Sequence, residues 1–260
     1  MANNDPALVT GASSGIGAAF VRLLAERGHD LVLVARRGDR LEALAKELDA
    51  AHGIAVEVLV ADLSTSDGLA AVERRLVDDS RPVGLLVNNA GFGTAGSFAD
   101  LDVAREEEMV RLNVLALVRL THAALGGMLA RGRGGIINVS STAGFQPIPG
   151  WATYAASKAF VSRFTEAIAG EYASSGVTIT ALCPGFTRTE FQEKADFGED
   201  NVPKFLWQSP EDVAAAGLDA LDRGRVYAIP GWAYRALEVT TGILPKTVIR
   251  KAATLRYRLM

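Results

Sequence analysis

An α/β fold built on one doubly wound parallel sheet is the architecture this chain predicts, on three observations. Short runs of Val, Ile and Leu alternate with longer helix-patterned segments from the first residues onward. These runs carry little polar alternation, as expected of parallel strands covered on both faces. The first run leads directly into a glycine-rich turn and then a helix, Thr10-Gly11-Ala12-Ser13-Ser14-Gly15-Ile16-Gly17. Repeated strand–helix–strand order places helices on both faces of such a sheet.

In chain order the strands are expected at Ala7–Thr10, Leu31–Ala35, 55–60, Leu85–Asn88, 136–140, 177–183 and 226–229, about seven in all. Helices are expected near 15–28, 38–51, 67–79, 103–131, 153–175 and 210–222. The strands end on polar or glycine residues: Thr10-Gly11, Arg36-Arg37, Asp62, Asn88-Asn89, Ser140-Ser141 and Pro184-Gly185. In an open parallel sheet, ligands bind outside those carboxyl ends. There is no internal repeat or linker, so 1–260 reads as a single domain. One stretch, 185–209, is long, aromatic and irregular, and is expected to be a substrate lid.

Composition excludes several classes. Of 260 residues 49% are hydrophobic, which suits a compact globular protein, and the net charge of −3 gives nucleic acid no basic surface. A single cysteine, Cys183, excludes an intramolecular disulfide and any multi-cysteine cluster. His29, His52 and His122 lack ligand spacing, so no metal is expected. The opening Met1-Ala2-Asn3-Asn4-Asp5-Pro6 resembles no signal peptide, and no uninterrupted apolar run approaches a membrane span; a cytoplasmic protein is the expectation.

The glycine turn points to a dinucleotide. Glycines there let the backbone approach a pyrophosphate, and the helix N-terminus favours its negative charge. The Gly-Lys-Ser/Thr ending of a triphosphate-binding loop is missing. After the second strand the chain reads Val34-Ala35-Arg36-Arg37, with no carboxylate to hold a ribose hydroxyl. Planar guanidinium groups suit a 2′-phosphate, so NADP(H) is expected over NAD. The competing reading, that the two arginines only decorate a helix start, is disfavoured because the helix dipole opposes cations there.

Further on, Tyr154 and Lys158 stand at i and i+4 of a helix, so the phenol and the ammonium share a face. A cation about 4 Å from the phenol contributes roughly 4 kcal/mol at an effective dielectric of ~20, about three pKa units downward. That shift would bring the tyrosine into range as a general acid or base.

Taken together, Thr10–Gly17, Asp62-Leu63, Asn88-Asn89-Ala90-Gly91, Asn113, Ser140-Ser141, Tyr154–Lys158 and Pro184-Gly185 resemble the short-chain dehydrogenase/reductase superfamily along nearly the whole chain. The resemblance implies a Rossmann-like fold and a catalytic set of Asn113, Ser141, Tyr154 and Lys158. Tyr154 would be the acid/base. Lys158 would lower its pKa and bind the nicotinamide ribose. Ser141 would polarise a carbonyl, and Asn113 would complete a water-linked proton relay. Ser141 is preferred to Ser140 because it keeps the family spacing to the tyrosine; the alternative is that both serines cap a turn. Asn113 read alone is a buried amide satisfied by backbone.

The resemblance also implies a cofactor site of Gly11, Ser13, Ser14, Gly15, Ile16, Gly17, Arg36, Arg37, Asp62, Leu63, Asn89, Ala90, Gly91, Tyr154, Lys158, Pro184, Gly185, Thr187 and Thr189. The implied activity is NADP-dependent hydride transfer between nicotinamide and a carbonyl or secondary alcohol. The alternatives are an NAD-dependent alcohol dehydrogenase and a non-catalytic dinucleotide-binding sensor. A homodimer or homotetramer is implied through the helices near 103–131 and 153–175.

Phe92, Phe145, Trp151, Phe186 and Phe191 are candidate walls of a pocket for a lipophilic substrate. The tail, 231–260, carries Lys246, Arg250, Lys251, Arg256 and Arg258, with Val248, Ala252, Leu255 and Leu259 on one helical face. Packing on its own domain or a partner subunit is expected of this stripe, ahead of peripheral membrane contact.

Overall fold

A computed structural model describes residues 5–191 and 202–258. The strands are β1 (Ala7–Thr10), β2 (Leu31–Ala35), β3 (Val56–Val60), β4 (Leu85–Asn88), β5 (Gly134–Val139), β6 (Val177–Leu182) and β7 (Tyr227–Ala228). They form one parallel sheet in the order β3-β2-β1-β4-β5-β6-β7. The chain therefore crosses from one half of the sheet to the other between β3 and β4. The crevice at that reversal lies above β1 and β4, at their carboxyl ends.

Helices α1 (Gly15–Glu26), α2 (Gly38–His52) and α7 (Pro210–Asp222) cover one face of the sheet. Phe20, Leu24, Leu41, Leu48, Val213 and Leu218 interlock there with the sheet residues Val9, Leu33 and Val87. Helices α3 (Ser66–Leu76), α4 (Val103–Val110), α5 (Leu117–Arg131) and α6 (Ala152–Glu171) lie on the other side. Leu69, Val72, Leu120 and Met128 pack there on Leu8, Leu86 and Ile136. Two of the helix starts carry a hydroxyl cap: the Thr65 hydroxyl accepts from Gly68 N–H, and Ser209 caps α7 just before Pro210.

Two expectations need correcting. β3 is an edge strand, not one covered on both faces; its residues are half-buried and Val60 is exposed. Glu57 on it instead anchors Arg75 and Arg81, at 2.9 and 3.2 Å. The expected long helix near 103–131 is one continuous rod, but Arg111–Ala116 forms a π-helical turn between α4 and α5. By length and composition this rod could cross a membrane, with a mean hydropathy of 1.4. Here Leu117, Leu120, Thr121, Ala124 and Met128 are instead buried against α3, β4 and β5.

Candidate active site

The glycine turn holds the backbone close to what lies above it. At Gly17 a Cβ would sit 2.2 Å from the Gly11 carbonyl oxygen and 2.6 Å from Asn89 Nδ2, so the start of α1 abuts β1 with no room for a side chain. Asn89 closes the other side, donating to the Thr10 carbonyl at 2.9 Å. Thr10 Oγ1 accepts from the N–H groups of Asn89 and Ala90, at 2.9 and 3.0 Å. Asn88 turns the other way, and its amide donates to Thr121 and Asn138 inside the core.

The two arginines diverge. Arg37 donates to the Ser13 and Ser14 hydroxyls, at 3.0 and 2.8 Å from Nη2, and to Glu190 at 2.9 Å. Arg36 is largely exposed and lies 3.7 Å from Asp62 and 3.9 Å from Glu108. Asp62 also accepts from the Ser64 N–H and hydroxyl, at 2.9 and 2.7 Å, and its pKa is lowered; burial opposes the shift, and these bonds with Arg36 outweigh it. Gly11, Ser13, Ser14, Gly15, Ile16, Arg36, Arg37, Asp62, Leu63, Asn89, Ala90 and Gly91 line one cavity with Pro184, Gly185, Thr187 and Thr189. Of the expected cofactor residues only Gly17 does not line it; its part is the close packing beneath. The cavity also takes in Ser141, Tyr154 and Lys158 and has a volume of about 1180 Å³.

The two serines border the same cavity but take different partners. Ser140 is buried, donating to the Lys158 carbonyl at 2.7 Å and meeting Ser162 at 2.8 Å. Ser141 faces the cavity, accepts from the Ala143 N–H at 3.1 Å, and hydrogen-bonds the Tyr154 phenol. Tyr154 itself is wedged between Trp151 and Phe191, each ring 5.5 Å away.

The expected three-unit drop in the phenol pKa is not found. Burial pushes Tyr154 up to about 12, opposed only by the Ser141 bond. Lys158 lies 5.8 Å from the ring centre, donates to the Val139 carbonyl at 2.9 Å, and is itself pushed down to about 8 by burial. The reason is physical: low dielectric disfavours both phenolate and ammonium, and the lysine spends a bond on backbone. The side-chain amide of Asn113, in the π turn, braces the loop after β4. It accepts from the Phe92 N–H at 3.1 Å and donates to the Phe92 carbonyl at 2.9 Å and to Ser157 at 3.2 Å.

A family comparison decides the kinship. The short chain dehydrogenase family model matches residues 5–200. The chain belongs to the short chain dehydrogenase family. Very-long-chain 3-oxoacyl-CoA reductase of Anas platyrhynchos is 31% identical over 253 residues, covering 93% of this chain and 79% of the relative. Among solved structures, a short-chain dehydrogenase from Sphingobium yanoikuyae in complex with NADPH is 39% identical, with a TM-score of 0.84 over 90% of this chain and 92% of the other. A bulky-bulky ketone specific alcohol dehydrogenase from Comamonas testosteroni is 34% identical, with a TM-score of 0.81 over 92% of each chain.

The cavity wall around Tyr154 in this short chain dehydrogenase is largely apolar. Phe92, Trp151, Phe186 and Phe191 line the cavity as expected, whereas Phe145 does not; it belongs to the short helical turn Thr142–Phe145, which packs on α6. Ile148, Leu206 and Tyr234 join the lining without having been singled out in the sequence. Residues 192–201 of the expected lid lie outside the described residues; its two ends are tied together. Gln208 N–H donates to the Phe186 carbonyl at 2.9 Å, and Arg188 N–H to the Gln208 carbonyl at 3.1 Å. The buried Tyr234 phenol accepts from the Phe186 N–H at 3.0 Å and donates to the Leu206 carbonyl at 2.7 Å, joining both arms. Glu190, on the same segment, bridges Arg37 and Arg40, the latter at 2.6 Å.

Proposed function

We propose that this protein is an NADPH-dependent reductase of bulky, lipophilic ketones or aldehydes. The observation that carries the reading is a single cavity with a hydroxyl pair, Ser141 and Tyr154, set among aromatic rings, and with Arg36 and Arg37 at its other end. The tight Gly17–Gly11–Asn89 packing and the serine and arginine donors fit a dinucleotide. Arg36 and Arg37 would hold its 2′-phosphate, and Lys158 its nicotinamide ribose. The NADPH of the Sphingobium relative and the bulky ketones of the Comamonas relative support cofactor and substrate class respectively. When bound, the nicotinamide supplies the hydride.

The chain's own residues then act on the carbonyl oxygen. Ser141 and Tyr154 donate hydrogen bonds to it as negative charge develops, and Tyr154 gives up its proton. A phenol held at about 12 is protonated through the neutral range, which suits an acid waiting for an alkoxide. The reverse reaction needs the phenolate. Alcohol oxidation is therefore expected to rise about tenfold per pH unit from neutrality to about 8, where Lys158 loses its proton, and more shallowly beyond, whereas ketone reduction is flat to about 8 and then declines. Measuring kcat/KM in both directions between roughly pH 6 and 10 checks this; oxidation that falls as pH rises would contradict it. We further propose a homo-oligomer through α4, α5 and α6, where Val110, Leu115 and Phe160 are exposed apolar residues.

A further inference from the structure

The C-terminal segment forms two helices, α8 (Trp232–Ile243) and α9 (Lys246–Arg258). Their inner residues Ala233, Tyr234, Leu237, Ala252 and Ala253 line the cavity. The outer face of α8 is apolar as well. Trp232, Ala236, Val239 and Ile243 fall at i, i+4, i+7 and i+11, one continuous exposed stripe, with Trp232 76% and Ile243 77% accessible. On α9, Val248 and Leu255 are likewise exposed, while Ala252, expected on the same stripe, also borders the cavity; Leu259 lies outside the described residues. A helix apolar on both faces calls for a cover on its outer one.

Charge says what that cover is. Lys246, Arg250 and Lys251 are exposed on α9, Lys251 flanking the stripe and Lys246 and Arg250 further round the helix, and Arg256 and Arg258 follow in the sequence. From Gly231 onward the sole carboxylate is Glu238, half-buried and acting on Arg163 of α6. A second copy docked about a two-fold axis here would bring two such basic segments together, each with Glu238 as its one acidic side chain. An anionic lipid leaflet complements them, and apolar residues flanked by Lys and Arg are the composition of an interfacial helix.

We propose that the outer face of α8 and α9 docks on an anionic lipid surface. The wall that docks is the wall of the cavity, so an apolar compound dissolved in the bilayer lies close to the site. The docking itself does not depend on turnover or on the proposed substrate.

The test is co-sedimentation of the full-length protein with phosphatidylcholine vesicles and with vesicles that also contain phosphatidylglycerol, alongside fluorescence titration with NADPH. Binding is expected to the anionic vesicles, falling as salt rises. The triple variant Lys246→Glu, Arg250→Glu, Lys251→Glu should lower partitioning by roughly a hundredfold, about fivefold per cation. Trp232→Ser with Ile243→Ser should abolish it. Both variants should keep the wild-type circular dichroism spectrum and urea midpoint, which shows an intact fold whether or not the enzyme reading holds, and should titrate with NADPH as wild type does. Three results would overturn the proposal: no binding to either vesicle, equal binding to both, or an oligomer in vesicle-free sedimentation that Trp232→Ser with Ile243→Ser dissociates while lipid binding is absent.

Discussion

Tyr154→Phe is expected to lower kcat by about three orders of magnitude, with NADPH affinity within about twofold of wild type. The ring stays, so its contacts with Trp151 and Phe191 persist and the pocket keeps its shape. What is lost is the phenolic proton donor that stands beside Ser141 in the cavity. The cofactor donors on the glycine turn and at Arg36 and Arg37 are untouched. Steady-state turnover measured beside cofactor fluorescence separates the two effects. Substantial turnover in this variant would remove Tyr154 from the mechanism.

Gly185→Ala should destabilise the fold and cripple activity together. A Cβ there would stand 1.9 Å from Tyr234 Cζ, and 2.1 and 2.4 Å from the adjoining ring carbons. The ring cannot swing aside without breaking its bonds to Phe186 and Leu206, which join the two described ends of 185–209. Overpacking of this kind costs about 1–3 kcal/mol, read as a lower urea midpoint at unchanged m. Tyr234→Ala in the same chain removes the obstructing ring, so the double variant should lose less than the sum of the single losses. A Gly185→Ala protein as stable and active as wild type would show that the ring is free to move.

The centre of the sheet was legible because parallel strands covered on both faces read as unbroken branched runs; β1, β2 and β4 fall on the residues expected. β3 and β7 were harder, being edges where half the covering is absent; β7 shrinks from the expected 226–229 to Tyr227–Ala228. The π turn at Arg111–Ala116 carries no pattern distinct from an ordinary helix. In the site, the glycine turn, Ser141 and Tyr154–Lys158 are local motifs and could be read directly. Tyr234 and Glu190 could not be, because their partners Phe186 and Arg37 lie 48 and 153 residues away. The phenol pKa was misjudged for a related reason. Helical spacing gives the neighbouring charge but not the burial, and burial dominates.

The most direct test of the account is a fluorescence titration of the purified protein with NADPH and with NADH, repeated on Arg36→Asp. It needs no substrate. The account predicts a preference for NADPH of at least about tenfold, the worth of a charge-assisted bond to the 2′-phosphate, and its loss in the variant. Tighter binding of NADH by the wild-type protein would contradict the assignment of Arg36 and Arg37, and binding of neither would contradict the enzyme itself.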